Sequence, residues 1–364
     1  MVSKKDYICI VPFEALEVHD HDRVLCCASW LKKSLPKNAP VGEAWESKEA
    51  NEIRDSILDG SYKYCDSNHC PYLSSLKHYT SDRNLGPLKH RNNLTPDFKR
   101  RVDSYKTGKL LPPSNVQFSF DRSCNLNCPS CRVEMFIADS WKIKQVHLTV
   151  EEIEKTFSKD LKSIYITGSG DPFISVGFRN FLRNFDPQKY PKLQSIHLHT
   201  NATKWNRKMW DSMKAIHPYV KSCEISIDAA TKDTYENKTR LGGNWDELMD
   251  NLRFISTIPT LKSVKPSFVV QQMNYKEIEP FYNLMKKIFI EDSTVERTLK
   301  VYFGKITNWG TYTDSEFKTH KVWDETHPEF SEFKDIVKTL VKKTHLFHNL
   351  HEFIQVDQPK QVLI

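Results

Sequence analysis

Cys124, Cys128 and Cys131 stand in the run SFDRSCNLNCPSCRVEMF, spaced Cys-x3-Cys-x2-Cys on a loop that follows an expected strand. Three thiolates at that spacing can hold three corners of a four-iron, four-sulfur cluster, leaving the fourth iron without a protein ligand. A pure electron carrier normally closes its cluster with four cysteines. An open corner suits an enzyme whose cluster binds a second molecule and passes an electron into it. Zinc is the simpler alternative, but it wants four N or S ligands, and His147 lies too far along the chain for a usual knuckle. Asn125, Asn127, Pro129 and Ser130 are loop formers, which argues against core cysteines gathered by chance.

The elements around this loop alternate. Residues 115–121 read as a strand entering it. Thr149 with Glu152 makes a capping box opening a helix to about Lys159. Strands are expected at 161–167, 193–199, 221–227, 264–271 and 298–303, with helices at 175–184, 204–216, from Asn244 to Phe254 and at 276–289. Six β/α units in a row predict an α/β fold, a parallel sheet curled into a partial (β/α)6 barrel over residues 114–312. In such barrels chemistry collects at the C-terminal ends of the strands, where the cysteine loop lies. Residues 81–113 read as a linker with one helical turn near Pro96–Tyr105, and residues 313–364 as a helical extension. Phe330, Phe333, Ile336, Leu340 and Val341 there mark an amphipathic helix covering the barrel.

The cysteine motif resembles the signature of the radical S-adenosylmethionine (radical SAM) superfamily, in which SAM chelates the open iron through its amino and carboxylate groups. Ser130 stands where the family often has an aromatic residue. The other strand ends also resemble family motifs. Gly168-Ser169-Gly170-Asp171-Pro172 is similar to the Gly-Gly-Glu-Pro run; its glycines permit close backbone approach and its carbonyls can accept from an ammonium, although a plain turn has the same composition. Thr200 and Asn201 form a polar pair that serves equally as a helix cap. Ser226 and Asp228 share a face by strand alternation, which suits ribose hydroxyls or a capping role. Arg240 resembles the arginine that pairs with the SAM carboxylate, against the alternative of a surface arginine. Gln272 and Asn274 end the fifth strand, and Asn308-Trp309-Gly310 follows the sixth, where the resemblance puts the adenine pocket.

Cys9, Cys26, Cys27, Cys65 and Cys70 lie within residues 1–80. Strands at 7–12 and 23–28, a helix at 47–58 and the turn GSYKYCDSNHCP would make a β-hairpin plus helix, too small for a core of its own without a metal staple. The adjacent cysteines face opposite sides of a strand, so one ligates; spacing favours Cys27. Thiolates alone leave zinc and iron–sulfur equally open. The segment, with Cys9, Cys27, Cys65, Cys70 and the Trp45 helix, resembles the auxiliary-cluster module called SPASM or twitch, though placed before the barrel rather than after it. That resemblance implies a second, closed iron–sulfur cluster, with His69 a spare ligand. Cys223 reads as core.

Lys+Arg 53 against Asp+Glu 46 gives +7, with the charges scattered, so nucleic acid is not an expected partner. No long apolar run suggests a membrane helix, and MVSKKDYICIVPF has no signal core. Nine cysteines without such a signal point to reduced thiols and a cytoplasmic location. The resemblance implies a radical SAM oxidoreductase acting on a peptide or protein side chain, with an electron donor such as flavodoxin or ferredoxin. A sugar or aminocyclitol alcohol is the alternative substrate, and a non-catalytic iron–sulfur or zinc-stabilised binding protein the alternative class.

Overall fold

The structure is a computed structural model and describes residues 3–25, 31–67, 70, 72–73, 76, 86–343 and 349–353. The chain divides into two compact units: Met1–Asp121 with Ser140–Gly168 and Asp186–Ser195, and Arg122–Asp139 with Ser169–Phe185 and Ile196–Ile364.

In the first unit, β1 (Tyr7–Cys9) pairs antiparallel with β4 (Leu88–His90), Tyr7 opposite His90. A second set runs β3 (Arg23–Val24), β2 (Ala15–His19), β5 (Asn115–Ser119) and β6 (Ser163–Ile166), parallel throughout except for β3. The expected hairpin between residues 7–12 and 23–28 therefore does not form. Its first strand finds a partner in the stretch expected to be linker, and its second pairs with a strand absent from the expectation. That strand, ALEVH, alternates buried Leu16 and Val18 with half-buried Glu17 and His19, the period-2 pattern of a strand in a run short enough to pass for loop. Beside it Arg54 is fully buried. It donates to the carbonyls of Pro12 and Trp45, both at 2.8 Å, and lies over the Trp45 ring. Burial lowers its pKa to about 10.

The helix expected to open at Thr149 opens earlier, spanning Ser140–Phe157. Thr149 is inside it, its hydroxyl donating back to the Gln145 carbonyl as a mid-helix threonine does, so it caps nothing. Val146, Val150, Ile153 and Phe157 form the buried stripe.

In the second unit, β7 (Ser195–Thr200), β8 (Val220–Ser226) and β9 (Ser263–Val270) are parallel, and β9 carries both β10 (Thr298–Leu299) and β11 (Tyr302–Lys305). The expected sixth strand is thus two short ones. The helix expected at 204–216 is a turn of α-helix at Arg207–Asp211 and a 3-10 turn at Lys214–Ile216, because Asn206 caps at Met209 N and restarts the chain. One face of the strands is apolar (Leu198, Cys223, Ile225, Val264, Phe268) and fully buried. The other is polar: His197 meets Ser222, His199 meets Ser226, and Glu224 pairs with Lys265 at 2.9 Å. Parallel strands alternating with helices make this an α/β fold with the strand–helix succession of a partial barrel.

Candidate active site

Three strand ends hold non-glycine residues at positive φ: Thr167 (99°) after β6, Ala202 (60°) after β7 and Asp228 (61°) after β8. Such backbone is costly, most of all for a β-branched residue, and persists only where surrounding bonds over-determine it. After β7, Asn251 donates to the carbonyls of both Ala202 and Thr203. After β8, Asn274 donates to the Asp228 carbonyl at 2.9 Å.

Cys124 and Cys128 are buried and Cys131 is exposed. Each sulfur faces a nitrogen donor. Asn201 Nδ2 donates to Cys124 Sγ at 3.5 Å, Arg240 Nη1 to Cys128 Sγ at 3.5 Å, and Arg132 Nη2 to Cys131 Sγ at 3.7 Å. Burial raises the Cys124 thiol to about 11 against the lowering pull of Arg132, and raises Cys128 against that of Arg240. Two guanidinium groups and an amide set around three thiols favour their ionised, metal-ligating form.

The donors are themselves held. Arg240 Nη2 pairs with the Asp228 carboxylate at 2.7 Å, whose other oxygen accepts from Val269 N. Burial opposes the Arg240 charge, yet Asp228 and then Cys128 push its pKa up. Asp171, buried within GSGDP, accepts from Thr200 Oγ1, Asn201 N and Phe173 N. It ties the end of β7 to the glycine turn. Arg132 also donates to the Ser169 carbonyl, and Asp171 N to Ser123 O. Gly168 sits where a Cβ would come within 3.1 Å of Gln117 Nε2.

Among the described residues no three Cys, His, Asp or Glu side chains stand at metal-holding distance from one another, so the fit of a cluster rests on what surrounds each sulfur. Beyond the donors, Asn127 Oδ1, Arg240 Nε and Tyr235 Oη are buried polar atoms without a hydrogen-bond partner. Tyr235 acts electrostatically on Arg240, and Arg240 on Cys128. Natural proteins seldom leave such atoms unsatisfied unless a ligand completes them. The residues present fit an anionic cluster with a polar ligand on it.

Sequence patterning brings Asp171, Thr200, Asn201, Asp228 and Arg240 to the cysteines, but in supporting positions. Asp228 and Arg240 are turned on each other, and Asp171 is turned on β7. Ser226 faces His199 and Ser267. Gln272 is exposed; its N–H donates to His320 O, and it lines a cleft of about 430 Å³ with Lys238, Asn274, Lys276 and Glu329. Asn308 bonds Gly310 N and Tyr312 within its own loop, and Trp309 is 67% exposed, so neither shapes a closed pocket. Sequence reasoning missed Arg132, Tyr235, and Asn125 with Thr203, whose side chains bond each other at 3.1 Å. The only signal for them was an unusually polar loop.

Residues 118–285 match the sequence model of the Radical SAM superfamily. That segment is of the radical SAM superfamily. The matched radical SAM segment contains the cysteine loop and the ends of β5 to β9, while the N-terminal cysteines precede it. No curated protein matches the chain. Among solved structures, Streptococcus suis SuiB bound to S-adenosylmethionine is similar at 15% identity, with a TM-score of 0.42, covering 86% of this chain and 64% of its own. SuiB bound to its precursor peptide SuiA gives 15% and 0.42, over 85% and 62%. The anSMEcpe structure with bound AdoMet gives 13% and 0.45, over 64% and 61%. The chain therefore spans less than two thirds of the length of each.

Of the N-terminal set, Cys9, Cys65 and Cys70 are described and half-buried. Cys26, Cys27 and His69 lie outside the described residues. Cys9 and Cys65 both act electrostatically on the buried Tyr62, and burial followed by Cys70 pushes the Cys65 thiol up to about 11.

Proposed function

We propose that this chain reductively cleaves S-adenosylmethionine and uses the resulting radical to take hydrogen from an organic substrate. The observation that carries the reading is the placement of one N–H donor on each of Cys124, Cys128 and Cys131. Bound at those sulfurs, a four-iron cluster would supply the single electron for reductive cleavage of S-adenosylmethionine. The protein's own residues hold and orient. Asn201, Arg240 and Arg132 stabilise anionic sulfur. The carbonyls of Gly168, Ser169 and Gly170, beside Asp171 and Pro172, would accept from the SAM ammonium. Arg240 Nε, buried and unpaired, would be the donor to the SAM carboxylate, while Asp228 fixes the guanidinium. Ser226 would offer its hydroxyl to the ribose, while Thr200 holds Asp171. Gln272 stays at the margin. The polar face of β7 to β9, where His197, His199, Glu224 and Lys265 bond with Ser222, Ser226 and each other, would suit a polar substrate.

The substrate proposed is a peptide or protein side chain, on the motif resemblance; an alcohol of a sugar or aminocyclitol is the alternative. Cys9, Cys27, Cys65 and Cys70 would hold a second, closed cluster, whose chemistry would be one-electron transfer, as in an oxidoreductase with a twitch-like module. The cytoplasm is the compartment proposed. Among the described residues no helix is long and apolar enough to cross a membrane.

The test is anaerobic incubation of reconstituted protein with dithionite and SAM. Release of 5′-deoxyadenosine is expected; a metal-replete protein that leaves SAM intact would show a binding protein rather than an enzyme.

A further inference from the structure

Four of the nine large apolar side chains that the described residues leave exposed stand within five positions of the chain: Val133, Met135, Phe136 and Ile137, at 73%, 57%, 41% and 52%. A contiguous apolar patch of this kind marks an interaction site more often than an accident of sequence. The segment is a fixed surface. Phe136 makes an antiparallel bridge with Cys124, whose N–H donates to Phe136 O at 2.8 Å, and Ala138 N donates to Ser123 Oγ at 2.9 Å. The bonds that hold the cysteine loop therefore hold the patch as well.

The charges around the patch decide what kind of partner fits it. Arg132 is half-buried and spent within the chain, on Cys131 Sγ and on the carbonyls of Ser169 and Arg122. Asp139 is exposed but is also engaged within the chain. That leaves Arg122 and Glu134, both exposed, whose side chains have no hydrogen bond or ion pair among the described residues. One charge of each sign selects neither an acidic nor a basic partner. The two charges also stand at opposite ends of the apolar row. The antiparallel bridge runs residues 122–124 back along 136–138, so Arg122 lies at the Ala138 end, while Glu134 lies at the other, between Val133 and Met135. A two-fold axis through the middle of such a row brings each Arg122 onto the other copy's Glu134, and apolar side chains onto apolar ones. An isologous interface requires that self-complementarity, residue i meeting j while j meets i.

We propose that Val133, Met135, Phe136 and Ile137 form the centre of a two-fold interface between two copies of this chain, with Arg122 of each copy paired to Glu134 of the other. Association removes the apolar row from water, and the two equivalent ion pairs fix the register. Cys131, the exposed cysteine of its loop, stands two residues before Val133, so the second copy also takes its sulfur out of bulk water.

The experiment is sedimentation equilibrium of the reconstituted full chain over about 1–100 µM, a span that resolves micromolar dimers. The readout is molar mass, so it does not depend on the chemistry at the cysteines. Wild type is expected to dimerise. Met135→Asp combined with Ile137→Asp sets carboxylates against the facing apolar row and should weaken the dimer about a hundredfold or more. Arg122→Glu and Glu134→Arg, each alone, put like charges opposite each other at two symmetric places and should each weaken it about tenfold. Mixed one to one, these two single variants should associate as tightly as wild type, because every charge contact in the mixed dimer is again opposite in sign. That rescue also shows that both variants are folded. A wild type that stays monomeric across the range overturns the proposal. So does a dimer that all the variants leave unchanged, which would put the interface elsewhere on the surface. A dimer weakened by the apolar variant that shows no rescue on mixing overturns the pairing of Arg122 with Glu134, and the two-fold arrangement with it.

Discussion

In the loop after β5, one side chain from the end of β7, one from the segment after β8 and one from the loop itself reach the sulfurs: Asn201, Arg240 and Arg132, themselves fixed by Asp171, Asp228 and Ser169. Around Cys65 in the N-terminal unit, burial and the neighbouring Cys70 both raise the thiol, and the opposing cation is the distant-acting Lys4. Cys9 ends a three-residue strand, and Cys65 makes one isolated bridge to Leu31. The first set is placed and charged by a sheet that exists for other reasons. The second sits on short elements in a region whose arrangement a metal would itself organise. A cluster that must bind and reduce a ligand needs prepared electrostatics; a closed cluster passing electrons needs only four thiolates.

The largest expected effect separates the two sets directly. Replacing Cys124, Cys128 and Cys131 with Ala should remove the larger part of reductive SAM cleavage and lower iron from about eight to about four per chain, if both sites take four-iron clusters. Full 5′-deoxyadenosine release by this variant would unseat the assignment. Arg240→Ala comes next. It strands the Asp228 carboxylate, 1% exposed, without its counter-charge, at a cost of about 3–5 kcal/mol in denaturant unfolding. Arg240→Lys should recover part of it. A loss of under about 1 kcal/mol would mean that the pair is not desolvated as its burial implies.

Cys27→Ala probes the other side of the comparison. Iron should fall towards about four and the segment before residue 80 become protease-sensitive, while Cys26→Ala keeps its iron. The reverse result would place the ligand one residue earlier, and a site that fills with zinc and resists iron would make the module a structural clip. The smallest effect is expected for Asn201→Ala. Loss of its side-chain bonds should cost about 0.5–1.5 kcal/mol in stability. Removing an N–H from Cys124 sulfur should also shift the loop cluster's reduction potential downward in an EPR titration, leaving any second cluster unmoved. A shift of both signals, or of neither, would show that the donors do not distinguish the two sites.

The cysteine spacing, the glycine turn and the β/α alternation were readable in one dimension, because ligand spacing and strand and helix periods are local properties of a chain. Asn201 and Asp228 stand just beyond strand ends and so could be singled out from the sequence, while Arg240, beyond a helical segment after β8, was picked out by motif resemblance. Their partners were not. That Arg240 would spend its charge on Asp228 and Cys128, and that Asp171 would brace Thr200 and Asn201, depends on which strands lie side by side. The N-terminal strands taught the same lesson more sharply. Tyr7–Cys9 and Arg23–Val24 look like the two arms of a hairpin, yet they bond to Leu88–His90 and Ala15–His19. Strand pairing is a long-range choice settled by which apolar faces are buried together, and a sequence read along its length carries the faces but not the choice. Exposure was likewise decided only in three dimensions. Val133, Met135, Phe136 and Ile137 would pass for core residues in the sequence, and it is the fold that leaves them in water beside Cys131.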